Sequence, residues 1–244
     1  MWSEEDMLRA WEQGEGKPPV LQARALLQAG YPQQSLAQLD SLTVGQRDGL
    51  LFALRERAFG SLLQGCARCP MCGERSLFSL QTSDLRVGAA AAPPALPLTL
   101  HHDDWVLRFR LPCSSDLQQA ARLGEVSAAR QHLLCSCLLS AHHSGIAVPA
   151  HNLPAAMQQR LAEALAEQDA QSEVVLALHC AHCGHPWQAL LDIVQFLWRE
   201  VSARATQLLQ DVATLARAFG WSESAVLQLG PVRRQRYLEL AGHE

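Results

Sequence analysis

The sequence has no long apolar run, no basic amino terminus and almost no lysine. No stretch approaches the roughly 18 apolar residues of a membrane-spanning helix, and the chain begins with the acidic segment Met1–Asp6 where a signal peptide would be basic. We therefore expect a protein with no membrane association that is cytoplasmic in the bacterium producing it. Of 20 basic residues only Lys17 is a lysine, which we interpret as compositional bias.

Motifs of common enzyme classes are also missing. The chain contains no glycine-rich phosphate loop, no G-x-S-x-G nucleophile elbow and no H-E-x-x-H helix. Its net charge of −4 gives no electrostatic reason to expect nucleic-acid binding. We predict that the protein is not an enzyme, although missing motifs alone do not exclude one.

Cysteine, in contrast, is plentiful and grouped. The chain includes eight cysteines. Its length of 244 residues, 48% of them hydrophobic, is enough for one large domain or two small ones. In a cytosolic chain of this size, C-x-x-C pairs favour metal binding over disulfides. Such pairs occur in Cys69-Pro-Met-Cys72-Gly73 and in Cys180-Ala-His-Cys183-Gly184.

Each pair has the form of a knuckle, a tight turn that directs two thiolates at one point and ends on a glycine suited to positive φ. Two knuckles supply four soft ligands, the number that a closed structural Zn²⁺ site needs. We predict a structural, non-catalytic zinc site of Cys69, Cys72, Cys180 and Cys183. Structural zinc contributes on the order of 10 kcal/mol to folding in small modules.

The distance between the knuckles is unusual, because 107 residues, 73–179, separate them. A shared metal would make everything between them an insertion. The alternative is two unrelated pairs of buried thiols. Cys66, His182 and His185 are further candidate ligands that lie beside the knuckles.

The periodicity of apolar residues predicts an α+β, mainly helical fold with a zinc-ribbon-like core. Capping-box patterns at Ser3 with Asp6 and Thr43 with Gln46 predict two of the amino-terminal helices. The predicted parts are an N-terminal helical region at 1–65, a two-part zinc-ribbon-like module at 66–84 and 174–191, an inserted α+β unit at 85–173, and a long helix with a helical tail at 192–244.

Within the insertion, the low-complexity segment 87–95 predicts a flexible loop, and the glycine and prolines of 144–154 predict another loop. The residues from Ser127 to Ala141 predict a helix that ends at His142 and His143. This helix would carry two of three small buried thiols outside the knuckles, Cys113, Cys135 and Cys137.

The segment His101-His102-Asp103-Asp104 has side chains suited to a second metal or to acid–base catalysis by a hydrolase. A polar turn between strands at 98–100 and 105–111 accounts for the same residues without chemistry. We favour the turn.

The tail contains a long helix ending at Gly220, a short helix capped by Ser222 and a last helix opened by Pro231. This pattern permits a helix-turn-helix, and hence a zinc-stapled DNA-binding regulator. The presumed recognition helix, 223–229, lacks base-reading residues. We favour a protein-docking tail with the arginines facing a partner or solvent, namely Arg233, Arg234 and Arg236.

Four segments together resemble a family of contractile-tail baseplate proteins of phages, prophages and phage-tail-like injection systems, related to a T-even phage baseplate hub protein. They are 69–75, 108–112, 180–187 and the closing 218–238 with its Trp-Ser-Glu and arginine-Tyr-Leu elements. The resemblance implies a subunit or assembly chaperone with baseplate, hub or spike proteins as partners. It carries over no catalytic residues, and by position the four cysteines match those of zinc-bearing members. This chain departs from the family in having Gly230 before Pro231.

Overall fold

The computed structural model describes residues 2–86 and 97–242. It is an α+β structure, 57% helical, as the sequence predicted. The predicted loop at 87–95 lies outside the described residues. Within them, no helix combines the length and the hydrophobicity that crossing a membrane requires.

Several helices in the described ranges begin or end at the predicted signals. They are α1 Glu4–Gly14, α2 Pro19–Gly30, α3 Leu36–Ser41, α4 Val44–Phe59, α5 Thr82–Leu85, α6 Ser114–Ala121, α7 Val126–Cys137, α8 Ala155–Gln168, α9 Ile193–Phe219, α10 Glu223–Leu227 and α11 Pro231–Ala241. Both predicted capping boxes are present, at Ser3 and at Thr43. Gly220 ends α9 with φ +69°, as a C-cap glycine does.

The strands described form three antiparallel sheets. They are β1 Leu62–Arg68, β2 Arg75–Gln81, β3 Leu98–His102, β4 Trp105–Phe109, β5 Leu138–His143, β6 Ile146–Ala147, β7 Val175–His179 and β8 Pro186–Leu190. β1 pairs with β2, β7 pairs with β8, and the other four form a sheet in the order β3-β4-β5-β6.

The contacts divide the chain into two compact units. The first contains residues 1–32 and 194–244, and the second contains residues 33–193. The finer sequence-based division into four parts stays a prediction.

The first unit is helical. Its core includes Leu8 of α1 with Ala205 and Leu208 of α9, and Trp11 and Leu227 pack against them. Charged groups reinforce this packing, because Glu4 on α1 accepts hydrogen bonds from Arg204 on α9 and Arg234 on α11. Its amino- and carboxyl-terminal helices are therefore held to one another.

The second unit contains the sheets, and a hydrophobic core lies between the four-stranded sheet and helices α7 and α8. The members of this core are Leu107, Phe109, Leu134, Ala141, Leu153, Met157 and Leu161. Leu107 and Phe109, two positions apart on β4, are fully or almost fully buried. This spacing is the period of two residues that was predicted for the strand.

Two carboxylates fix the start of α4 and α6 in this unit. Asp169 accepts hydrogen bonds from the Thr43 hydroxyl, at 3.2 Å, and from the Gly45 N–H, at 2.9 Å. Asp116 accepts two hydrogen bonds from Arg110, at 2.6 and 2.8 Å, and one from the Cys113 N–H. Both are charge-assisted caps at helix amino termini.

The helical spacing of Leu50, Leu54 and Ala58 predicts a helix that leads through Phe59 and Gly60 directly to the first knuckle, and strand β1 corrects this prediction. The chain leaves α4 at Gly60, φ +85°, and enters β1 at Leu62. Small residues in β1 weaken the sequence signal for a strand. One of them, Gly65, makes room for the Phe78 ring of β2, because a Cβ at position 65 would lie 2.2 Å from Phe78 Cζ.

The predicted helix from Ser127 to Ala141 is also wrong in its second half. α7 ends at Cys137, and 138–143 form strand β5, where His142 and His143 lie. Pairing with β4 determines this strand, since Leu107 lies opposite Ala141. The predicted loop at 144–154 likewise contains β6 and a 3₁₀ turn at Ala150–Asn152. Of the three thiols predicted to be buried, Cys137 is buried while Cys113 and Cys135 are partly exposed.

Candidate metal centre

The first knuckle is the turn of the β1–β2 hairpin. Its backbone is closed by two hydrogen bonds, from Cys69 N–H to the Glu74 carbonyl at 2.9 Å and from Gly73 N–H to the Cys69 carbonyl at 2.9 Å. Gly73 has φ +75°, the conformation for which glycine was expected. The turn therefore folds back within five residues and presents Cys69 and Cys72 together.

The second knuckle has the same construction in the β7–β8 hairpin. Cys180 N–H donates to the His185 carbonyl at 3.0 Å, and Gly184 N–H donates to the Cys180 carbonyl at 2.9 Å. Gly184 has φ +72°. In both knuckles the first cysteine, Cys69 or Cys180, is buried.

The two hairpins also agree in register. Arg68 of β1 lies opposite Arg75 of β2, and His179 of β7 lies opposite Pro186 of β8, in each case one residue before the first cysteine and three after the second. Each half is thus a strand, a knuckle and a strand with equivalent cysteine positions. The sequence predicts strands at 174–178 and 187–190, entering and leaving the second knuckle, and β7 and β8 confirm them.

The structure brings all four predicted ligands together. Cys69 Sγ lies 3.7 Å from Cys183 Sγ, and Cys72 Sγ lies 3.6 Å from Cys180 Sγ. The four sulfurs all lie within 4.8 Å of one another. Two unrelated pairs of thiols are therefore excluded as a description of this site.

The spacing of these sulfurs matches tetrahedral thiolate coordination of zinc. At a zinc–sulfur distance of about 2.3 Å, the edge of a regular tetrahedron of sulfurs is about 3.8 Å. Two distances across the hairpins, 3.6 and 3.7 Å, agree with that edge, and every other pair of sulfurs lies within 4.8 Å. Four sulfurs leave no open position for a substrate, so the arrangement suits a structural ion.

The electrostatics of the cluster also favour a cation. The pKa of Cys180 is lowered to about 6, first by the Cys183 backbone N–H, then by that of His182 and by neighbouring thiols. The pKa of Cys72 is raised to about 12, because desolvation and the neighbouring thiols outweigh the Glu74 backbone N–H, which lowers it. The four thiols thus perturb one another's pKa, and a divalent cation would stabilise the thiolate form of all four.

The other candidate ligands do not belong to the cluster. Among the described residues, the group able to hold a metal contains the four knuckle cysteines and neither Cys66, His182 nor His185. Cys66 is exposed, and its sulfur accepts a hydrogen bond from Arg75 Nε at 3.4 Å.

The segment His101–Asp104 forms the predicted polar turn. His101 and His102 end β3, Asp103 and Asp104 make the connection, and Trp105 begins β4. Asp103 has φ +48°, which a hairpin turn requires and aspartate tolerates. No metal-binding group of three or more side chains includes these residues in the described part of the chain.

The tail places its arginines differently from the prediction. Arg234 is 2% exposed and donates to Glu4 and, at 3.0 Å, to the Leu229 carbonyl. The prediction that this arginine faces a partner or solvent is wrong, because it lies inside the first unit. Arg233 and Arg236 are exposed. Sequence reasoning missed Arg234 because its partner, Glu4, lies 230 positions away.

Comparison with known proteins yields one family. The family model described as "T4 bacteriophage base plate protein" matches residues 25–198, which is more than half of the chain and includes both knuckles. No curated protein and no solved structure matches.

Proposed function

Because the chain belongs to the T4 bacteriophage base plate protein family, we propose that it acts in assembly of the baseplate or hub of a contractile tail, as a subunit or as an assembly chaperone. The resemblance drawn from the motifs named the same family. We propose that the protein binds and stabilises its partners without catalysing a covalent reaction, and that these partners are baseplate, hub or spike proteins.

The observation that carries this proposal beyond the family is the cluster of four sulfurs. Cys69 and Cys72 would hold a zinc ion from the β1–β2 hairpin, and Cys180 and Cys183 from the β7–β8 hairpin. The ion, when bound, supplies a cross-link between segments more than 100 residues apart in sequence. Two short hairpins, each too small to be stable alone, would become one rigid zinc-ribbon-like body.

A rigid body is useful in this setting because assembly joins many preformed surfaces. A protein that binds neighbours without rearranging loses less conformational entropy on binding. We propose that the protein is made in the cytoplasm of the producing bacterium and acts there on the growing tail, either leaving it or remaining in the particle.

The metal part of the proposal is tested by zinc content. The full chain should bind one zinc ion, and Cys69→Ser and Cys180→Ser should each lower zinc content and reduce the thermal midpoint of the same transition. Cys66→Ser is the matched control, since Cys66 lies three residues before Cys69 and outside the cluster. Equal zinc content in all three variants would contradict the shared site.

The assembly part is tested in a strain that produces the particle. Deletion of the gene should give tails or sheaths without complete baseplates, as seen by electron microscopy, and the wild-type chain should restore them. Normal numbers of complete particles from the deletion strain would contradict an assembly function. The Cys69→Ser chain should restore fewer complete particles than Cys66→Ser.

A further inference from the structure

One face of the β1–β2 hairpin exposes two arginines and a leucine, and the knuckle at the end of the hairpin exposes a methionine. We name Arg68, Arg75, Leu77 and Met71 the basic face. Arg68 and Arg75 lie directly opposite each other on the two strands, and Leu77 follows on the same face of β2. Leu77 is 84% exposed and Met71, at the tip of the knuckle, is 68% exposed.

The arginine charges on this face are not neutralised within the described residues. Arg68 donates to the Gly73 carbonyl at 3.3 Å, and Arg75 donates to the Cys66 sulfur at 3.4 Å. Neither arginine forms an ion pair there, with neighbouring Glu74 or with any other carboxylate. Like charges directly opposite on paired strands are unfavourable, so this pair does not serve the stability of the hairpin itself.

The second knuckle shows that the arginines are not a requirement of the turn. The positions equivalent to Arg68 and Arg75 are His179 and Pro186, in the same register and with the same backbone hydrogen bonds. A knuckle of this shape therefore forms without a pair of cations at its base. The first hairpin carries an added feature.

We propose that the basic face docks an acidic, partly apolar protein segment of another baseplate component, a proposal that rests on the function proposed above. Guanidinium groups pair with carboxylates through two parallel hydrogen bonds, and two of them side by side fit a segment with two or more Asp or Glu residues. Leu77 and Met71 add apolar contact, and arginine and methionine are enriched at protein interfaces. Charge complementarity at this face thus selects an acidic partner, although the net charge of the whole chain is −4.

Two other uses of the arginines make different predictions. Four thiolates around a divalent ion carry a net charge of about −2, which nearby arginines would offset. In that case neutralising Arg68 and Arg75 lowers zinc content. Nucleic acid is the other anionic partner, and it predicts salt-sensitive binding of duplex DNA.

The test places a photo-crosslinking p-benzoylphenylalanine at position 77 of the full chain, in cells that are assembling particles. Mass spectrometry should map the adduct to a baseplate protein segment with at least two carboxylates within a few residues. The adduct should fall at least tenfold in Arg68→Gln/Arg75→Gln. It should be unchanged in the matched control Arg199→Gln/Arg217→Gln, which changes two exposed arginines of the other unit.

A charge swap then makes the assignment specific. Arg68→Glu/Arg75→Glu should abolish the adduct, and replacing the mapped carboxylates of the partner by arginine should restore it. The zinc content of the purified glutamine variant should equal that of the wild type, and its thermal midpoint should be no lower, because the variant removes two like charges that lie opposite each other.

Four results would each overturn the proposal. They are no adduct from position 77, an adduct on a segment without carboxylates, an adduct unaffected by the glutamine variant, and loss of zinc in that variant. Duplex DNA binding that disappears with Arg68 and Arg75 would also overturn it. If the deletion strain assembles complete particles, the proposed function itself fails; if assembly needs the protein but position 77 forms no adduct, the docking proposal fails alone.

Discussion

Removal of the Arg234 side chain should loosen the helices at the two ends of the chain. Arg234 donates to Glu4 on α1, and its Nη1 lies 3.7 Å from Asp211 on α9. Truncating one member of a buried ion pair typically costs about 3 to 5 kcal/mol. Here Arg204 still pairs with Glu4 and Gln207 still donates to Asp211 at 2.8 Å, so we expect Arg234→Ala to cost about 2 to 3 kcal/mol.

The assay is hydrogen exchange of the full chain, read from peptides covering α1 and α11. A loss of 2 to 3 kcal/mol corresponds to roughly 30- to 150-fold faster exchange through opening of the unit. The control is Arg233→Ala, which removes the neighbouring exposed arginine and should change exchange by less than about threefold.

The pH dependence gives a second reading of the same network. Burial raises the pKa of Glu4, but hydrogen bonds and charges from Arg234 and Arg204 lower it by more, so it lies below its usual value of 4.5. This stabilisation is therefore present above pH 4.5 and is lost as pH falls through the lowered pKa. The loss should be smaller in Arg234→Ala. Equal exchange in Arg234→Ala and Arg233→Ala would refute the assignment of Arg234 to the interior.

Two further predictions concern the caps in the second unit. Gly45→Ala should destabilise the protein by about 2 kcal/mol in urea unfolding, because the new Cβ would lie 2.1 Å from Asp169 Oδ1. Gly49→Ala on the same helix should stabilise it by up to about 1 kcal/mol, because the nearest atom to its new Cβ lies 3.9 Å away. Equal effects of the two would contradict the contact with Asp169. Hydrogen bonds from Arg110 lower the pKa of Asp116 to about 2, so its stabilisation, about 1 to 2 kcal/mol, is present above about pH 4 and lost towards pH 2. Thermal midpoints between pH 2 and 5 should show this loss in the wild type and not in Asp116→Asn; parallel curves would contradict it.

Sequence reasoning succeeded where short-range signals decide the structure. Capping boxes at Ser3 and Thr43 and the glycine at 220 mark helix ends through contacts within four residues. The knuckles belong to the same class, because a C-x-x-C-Gly turn closes on itself. Their approach to one another was predictable only because four ligands suit one metal.

Long-range pairing accounts for what the sequence did not reveal. Leu138 and Leu139 continue the spacing of the leucines in α7, and only the ladder with β4 turns them into a strand. Asp169 caps a helix that begins 125 residues earlier, and a signal for it was present in the glycine at position 45, where a helix former would be expected. Arg234 lies among exposed arginines, and nothing local distinguishes it from them.

The central claim is that one zinc ion joins Cys69 and Cys72 to Cys180 and Cys183. X-ray absorption at the zinc edge of the full chain, with metal content measured on the same sample, tests it most directly. We expect one zinc per chain, surrounded by four sulfurs at about 2.3 Å. Nitrogen or oxygen ligands in the zinc shell, or a full-length folded chain without zinc, would contradict it.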